Sequence, residues 1–247
     1  MFDLTGRSAL VTGAGQGLGA GIARHLAEQG AHVIVNDLVA SKAASTVATI
    51  QELGGNAEPL AFDVTQLEAV EQALAARPLD IVINNAGNAG ATVMQPTPFR
   101  DMDPKQWAAP IDVNLHGVMN VTRTVLPGMC ERQFGRLITI SSGAGVIGLP
   151  IGVAPYGAAK GGAISFMRHM AIENASFGVT ANSLALGLME MTDIHNPDLV
   201  TKLAKQVPCG RLGTGDDVGP ACIWLASNEA SWVTGQTIHV SGGSVTT

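Results

Sequence analysis

Tyr156 is the only tyrosine in the chain, and Lys160 follows it by four residues in Pro155-Tyr156-Gly157-Ala158-Ala159-Lys160. Ala163, Met167 and Met170 continue the segment at helical spacing, so phenol and amine share one helix face, one turn apart. An ammonium beside a phenol favours the phenolate and draws a pKa near ~10 toward working pH. Tyr156 is thereby a candidate acid/base. Y-x-x-x-K alone is a common accident, and an exposed helix pair would be its default reading. Two other features change the balance. Ser141-Ser142 ends an apolar run, where a hydroxyl projects beyond a strand end into the crevice that binds ligands in doubly wound sheets. Upstream, Thr12-Gly13-Ala14-Gly15-Gln16-Gly17-Leu18-Gly19 follows the first apolar run and leads directly into a helical pattern.

Glycines at that turn let the backbone approach a pyrophosphate without Cβ atoms between, with the helix N-terminus facing the negative charge. A lone glycine-rich match is weak, but here Asp37 stands 20 residues after Gly17, at the end of the second apolar run. A carboxylate there would accept from both adenine-ribose hydroxyls and repel a 2'-phosphate; its competing role is to cap the next helix. Gln16 occupies the place where a basic residue would hold a 2'-phosphate, and it is uncharged. NAD is expected over NADP.

These groups need a frame. Apolar runs at 8–12, 32–36, 59–63, 80–84, 136–140, 179–183 and 237–240 read as strands. Between them lie helical patterns, with Leu18, Ile22 and Leu26, then Val47, Ile50 and Leu53, then Leu67, Val70 and Leu74. Apolar strands alternating with helices predict an α/β fold: a single-domain, doubly wound Rossmann architecture over residues 1–247, its parallel sheet covered on both faces. The stretch 104–133 has the length of one long helix, but Pro110 and Pro127 predict a kink or break.

Composition agrees and excludes alternatives. At 247 residues the chain fits one domain and buries enough surface to fold without disulfide or metal. A formal net charge of -6 with no Lys/Arg run argues against nucleic acid or an anionic membrane as partner. Met1 to Arg7 has neither the basic nor the apolar region of a signal peptide, and no apolar run approaches the ~20 residues of a span. Cys130, Cys209 and Cys222 are odd in number and widely spaced, which predicts reduced thiols in the cytoplasm. Six scattered histidines show no metal-ligand spacing, so no metal is expected.

Taken in order, the loop at Thr12 to Gly19, Asp63-Val64, Asn84-Asn85-Ala86-Gly87, the Asn of Asp112-Val113-Asn114-Leu115, Ile140-Ser141-Ser142 and Tyr156 to Lys160 resemble the short-chain dehydrogenase/reductase family along essentially the whole chain. The resemblance implies a seven-stranded sheet and a tetrad of Asn114, Ser142, Tyr156 and Lys160. It implies that Ser142 bonds the substrate oxygen, Tyr156 exchanges its proton, and Lys160 binds the nicotinamide ribose while lowering the Tyr156 pKa. Asn114 would hold a water relaying protons from Lys160. Cofactor contacts would come from Gly13, Gln16, Gly17, Leu18, Gly19, Asp37, Asp63, Val64, Asn85, Gly87, Tyr156 and Lys160. The family also implies a homotetramer, or a homodimer, with 216–245 against a neighbour.

Two places depart from the family pattern. Leu186 stands where a Pro is usual and Thr192 falls one residue late, so the turn after the sixth strand is expected to be more mobile, with Met189 and Thr192 still expected to touch the cofactor. Ser241 replaces a usual Asp or Asn. Substrate contacts are expected from 90–95, 143–152 and 188–197. They include Met94, Val146, Ile147, Leu149, Ile151, Met189 and Met191, with no Lys or Arg. Such a wall suits a hydrophobic ketone or secondary alcohol, although about half of these residues are expected to be core. The expected function is an NAD-dependent alcohol dehydrogenase or carbonyl reductase. The alternatives are a 3-oxoacyl-carrier-protein reductase, against which Gln133 and Phe177 replace arginines that face the acidic carrier with Arg132 and Arg136 as partial substitutes, and a non-catalytic NAD-binding module, which would not need all four tetrad residues.

Overall fold

The computed structural model describes residues 1–88, 95–190 and 196–246. Seven strands are β1 (Ser8–Val11), β2 (His32–Asp37), β3 (Asn56–Ala61), β4 (Ile81–Asn84), β5 (Gly135–Ser142), β6 (Val179–Leu186) and β7 (Thr237–Val240). All pair in parallel, in the order β3-β2-β1-β4-β5-β6-β7. Helices α1 (Gly17–Glu28), α2 (Ala40–Glu52), α3 (Leu67–Leu74), α4 (Ala108–Ile111), α5 (Gly117–Glu131), α6 (Ala154–Asn174), α7 (Pro197–Ala204) and α8 (Gly215–Ala226) connect or flank them.

Strand residues alternate between two cores. Ala9, Val11, Ile81, Ile83, Ile138 and Ile140 meet α1, α2 and α8, whereas Leu10, Val82 and Leu137 meet α3, α5 and α6. Successive side chains of a strand point to opposite faces, so a run apolar at every position is what a sheet covered on both sides requires. The strand order reverses between β1 and β4, which opens a crevice at their C-terminal ends.

Three details differ from the sequence reading. β3 lies at 56–61 rather than 59–63; it is the edge strand, which tolerates Pro59 without a ladder donor. Leu53 lies beyond the end of α2 and is exposed rather than in the core. The stretch 104–133 does break, into a short turn, α4, a π-helical turn at Asp112–His116, and α5. Pro127 interrupts nothing, since α5 runs through it to Glu131.

Candidate active site

The glycine loop is clamped against the end of β4. Thr12 Oγ1 accepts from the N–H groups of Asn85 and Ala86 at 3.0 and 3.1 Å, and Asn85 Nδ2 donates to the carbonyls of Thr12 and Gly13 at 2.8 and 3.0 Å. Gly13 has φ +61°, and a Cβ on it would stand 2.8 Å from Ala86 Cα, so only glycine fits. A Cβ on Gly19 would collide with the Asn85 amide. Gln16 precedes α1 without giving it a side-chain cap, which leaves the first-turn N–H groups of Gly17, Leu18 and Gly19 for an anion. A pyrophosphate fits this loop.

Asp37 reaches both the glycine loop and the approach to α2, without capping that helix. Its Oδ2 accepts from Gly15 N–H at 3.1 Å, which draws the carboxylate to the loop, and its Oδ1 accepts from Val39 N–H at 2.9 Å, just ahead of α2. Asp63 turns toward Thr65, accepting from its N–H and hydroxyl, while Val64 is buried against Gly117.

The four tetrad candidates come from three elements and converge. Lys160, on α6, is buried and donates from Nζ to the Ile140 carbonyl at 2.6 Å, with Nζ 5.8 Å from the Tyr156 ring centroid. Ser141 holds the same helix by donating to the Lys160 carbonyl, and Ser142 caps the turn after β5 by accepting from Ala144 N–H at 3.2 Å. Asn114 sits in the π-helical turn. There its Nδ2 donates to the carbonyls of Pro110 and Asn88, at 2.7 and 2.6 Å, the first of which a regular helix would bond through its own N–H. Its Oδ1 is buried without a partner among the described residues. A Cβ on Gly87 would lie 3.0 Å from that oxygen and 3.2 Å from Lys160 Nζ, so glycine keeps the space between them clear.

The electrostatics correct one expectation. Burial pushes the Tyr156 phenol up, and the Ser142 hydroxyl offsets part of the rise. Lys160 itself is pushed down to about 8 by burial. The unfolded chain therefore binds more protons at this lysine between about 8 and its ordinary 10.5, so the Lys160 contribution to stability increases with pH across that window. Denaturant titrations of wild type and Lys160→Met should diverge in favour of wild type as pH rises through it. Parallel curves would show that the ammonium is not perturbed.

Leu186 is the last residue of β6. It is buried, continues the strand, and pairs with Ser142 on one side and Val240 on the other. Met189 bridges Gly213, held by Gly213 N–H to the Leu188 carbonyl and Glu190 N–H to the Gly213 carbonyl. Thr192, Met191 and Met94 lie outside the described residues. Val146, Leu149 and Ile151 are exposed rather than core, and Ile147 is half-buried. Ser241 bonds both ways with the backbone of Val245.

Asn36 escaped the sequence reading. Its Oδ1 receives Gly13 N–H, and its Nδ2 donates to the carbonyls of Leu60 and Phe62, so it ties the loop to β2 and β3. A polar residue inside the apolar run 32–36 was the available signal.

A family model described as enoyl-(acyl carrier protein) reductase matches residues 13–245. The 3-oxoacyl-[acyl-carrier-protein] reductase of Vibrio cholerae is 39% identical over 249 residues, covering 98% of each chain. A solved gluconate 5-dehydrogenase from Burkholderia cenocepacia, in complex with NADP and tartrate, is similar with a TM-score of 0.89 and 36% identity, over 98% of this chain and 96% of that one. A 3-oxoacyl-[acyl-carrier protein] reductase with bound NAD from Brucella melitensis gives 0.91 and 34%, over 99% and 94%.

Proposed function

This chain belongs to the short-chain dehydrogenase/reductase family, and from that premise we propose that it interconverts a secondary alcohol and a ketone with NAD(H), as one cofactor-binding domain over residues 1–247. The observation that carries the reading is the convergence of Tyr156, Ser142 and the buried Lys160 at the C-terminal ends of β4 and β5.

A bound nicotinamide supplies or accepts the hydride. As a carbonyl is reduced, negative charge grows on its oxygen, and hydroxyl donors from Ser142 and Tyr156 stabilise that charge more than the ground state. Tyr156 passes its proton to the oxygen; in the reverse direction it takes the alcohol proton. Lys160 keeps positive charge beside the phenol and reaches the nicotinamide ribose. Asn114 Oδ1, open toward the space beside Gly87, holds a water that carries protons from Lys160 toward solvent. Gly13, Gln16, Gly17, Leu18 and Gly19 would hold the pyrophosphate, Asp63 and Val64 would flank the adenine, and Asn85, Gly87 and Met189 would line the path to the nicotinamide; Thr192 is carried as a contact from its sequence position alone. Asp37 favours NAD over NADP, because a 2'-phosphate would meet its carboxylate and uncharged Gln16 offers no relief.

An apolar substrate is supported by a cavity of about 570 Å³ beside these groups. Its wall includes Ala144, bonded to Ser142 Oγ, and Gly157, next to Tyr156, together with Phe99, Val146, Ile147 and Leu149; none of its lining residues has a polar side chain. Phe99 is backed by Trp107, stacked at 5.3 Å. A polyhydroxy acid would find only backbone partners there, with no side chain to replace its hydration. Following reduced-nicotinamide absorbance, kcat/KM for hydrophobic ketones should exceed that for a keto-gluconate by about tenfold or more. A preference for the sugar acid would refute the apolar assignment.

Reduction of a carrier-bound 3-oxoacyl group is the second reading, favoured by the Vibrio cholerae relative. Against it, the two arginines that were to substitute for those missing at Gln133 and Phe177 are committed internally. Arg132 donates to the Leu79 carbonyl at 2.6 Å, and Arg136 is buried and bonds the carbonyls of Ser227, Gly135 and Gly178. Three unpaired cysteines suit a reducing cytoplasm, and the half-buried edge strand β7 suits a homotetramer.

A further inference from the structure

At the other end of the sheet, where β1, β2 and β3 begin, a cavity of about 410 Å³ is walled by Arg7, Ser8, His32, Asn56, Glu58 and Arg77, among others. Its surroundings are basic in a chain of net charge -6. Arg7 places its guanidinium 3.5 Å from the Phe134 ring centroid and Arg136 lies 4.2 Å from the same centroid, so the ring is held between two cations. Burial and the proximity of Arg7 push Arg136 down to about 10. Asp80 stands 3.9 Å from both Arg7 and Arg132, and Glu58 is paired with Arg77. Arg7 and Arg77 line the cavity with Glu58, while Arg132, Arg136 and Asp80 stand beside it.

Arg7 has the most left to give. Its side chain is 31% exposed, its one ion pair is the long contact to Asp80, and its guanidinium makes no hydrogen bond among the described residues, although it carries five N–H donors. The side chains of Ser8, His32 and Asn56 on the same wall also make none among the described residues. Donors gathered on one wall, with guanidiniums in and beside it, are matched by an anion that can accept from several of them at once. We propose that this cavity binds a small anion through a phosphate group, with Arg7 as the fork and Ser8, His32 and Asn56 as further donors. The site is separate from the nicotinamide crevice, since β1 and β2 start here and run to the glycine loop and Asp37.

Inorganic phosphate is the probe, titrated against thermal unfolding at ionic strength matched with chloride. NAD is kept saturating so that the glycine loop is not its target. Wild type should show a saturable rise in Tm. Arg7→Met should need about tenfold more phosphate, or more, for the same rise. Should Arg7→Met fail to fold, Asn56→Asp decides in its place, because it alters an exposed rim residue and puts a carboxylate where the anion sits; the same loss is expected. No rise beyond that in chloride, or an unchanged phosphate dependence in the deciding variant, overturns the site. Neither result depends on catalysis, so it is distinguishable from a failure of the oxidoreductase reading.

Discussion

Tyr156→Phe is expected to lower kcat by about 10³-fold or more while leaving NAD affinity within about twofold of wild type. The substitution removes one hydroxyl and keeps the ring, so the packing of α6 near its start is preserved. What is lost is both the proton that must reach the alcohol oxygen and one of two donors to that oxygen as charge develops. Ser142→Ala, which removes only a donor, should cost less, about 10²-fold. Single-turnover absorbance of reduced nicotinamide, with cofactor binding measured separately, separates the two effects. The pH dependence adds a second readout. With the phenol pushed up by burial, alcohol oxidation, which needs the phenolate, should rise with pH on the alkaline side, and the Phe variant should lack that rise. Full turnover by the Phe variant would assign the acid/base to another group.

The second large effect is on cofactor choice. Wild type should use NAD in preference to NADP by about 10²-fold in kcat/KM, or about 2.7 kcal/mol, and Asp37→Ala should abolish most of that preference. The carboxylate is held at the loop by Gly15 N–H, and a Cβ on Gly15 would lie 2.6 Å from both Asp37 Oδ2 and Lys42 Cβ. Equal use of both cofactors by wild type would show that Asp37 serves only to hold the chain between the loop and α2, through the Gly15 and Val39 N–H groups.

Much of this was legible because short spacings carry it. Tyr156 and Lys160 are four apart on one helix, and the glycine loop and Asp37 lie at the ends of consecutive strands, so local periodicity alone places each pair. β3 was misplaced because an edge strand is only partly buried, and its Asn56 to Ala61 sequence has neither β-branched residues nor a continuous apolar run. The π-helical turn had only Pro110 as a sign; its cause, the Asn114 amide replacing a backbone donor to the Pro110 carbonyl, is tertiary. The Arg7–Phe134–Arg136 stack joins the start of β1 to the start of β5, two segments that sequence separation hides.

That extra residue in the turn at Asp112–His116 also governs what the gene can tolerate. Each residue advances a helix by about 100°. Deleting one residue here, Val113 for instance, would heal the helix into a regular spiral and swing everything before it by that angle relative to α5. The amide of residue 114 would lose its carbonyl partner, and the Phe99–Trp107 pair would turn relative to α5. Point changes on the outer side of 108–117 should therefore accumulate freely among descendants of this sequence, whereas insertions and deletions there should be absent.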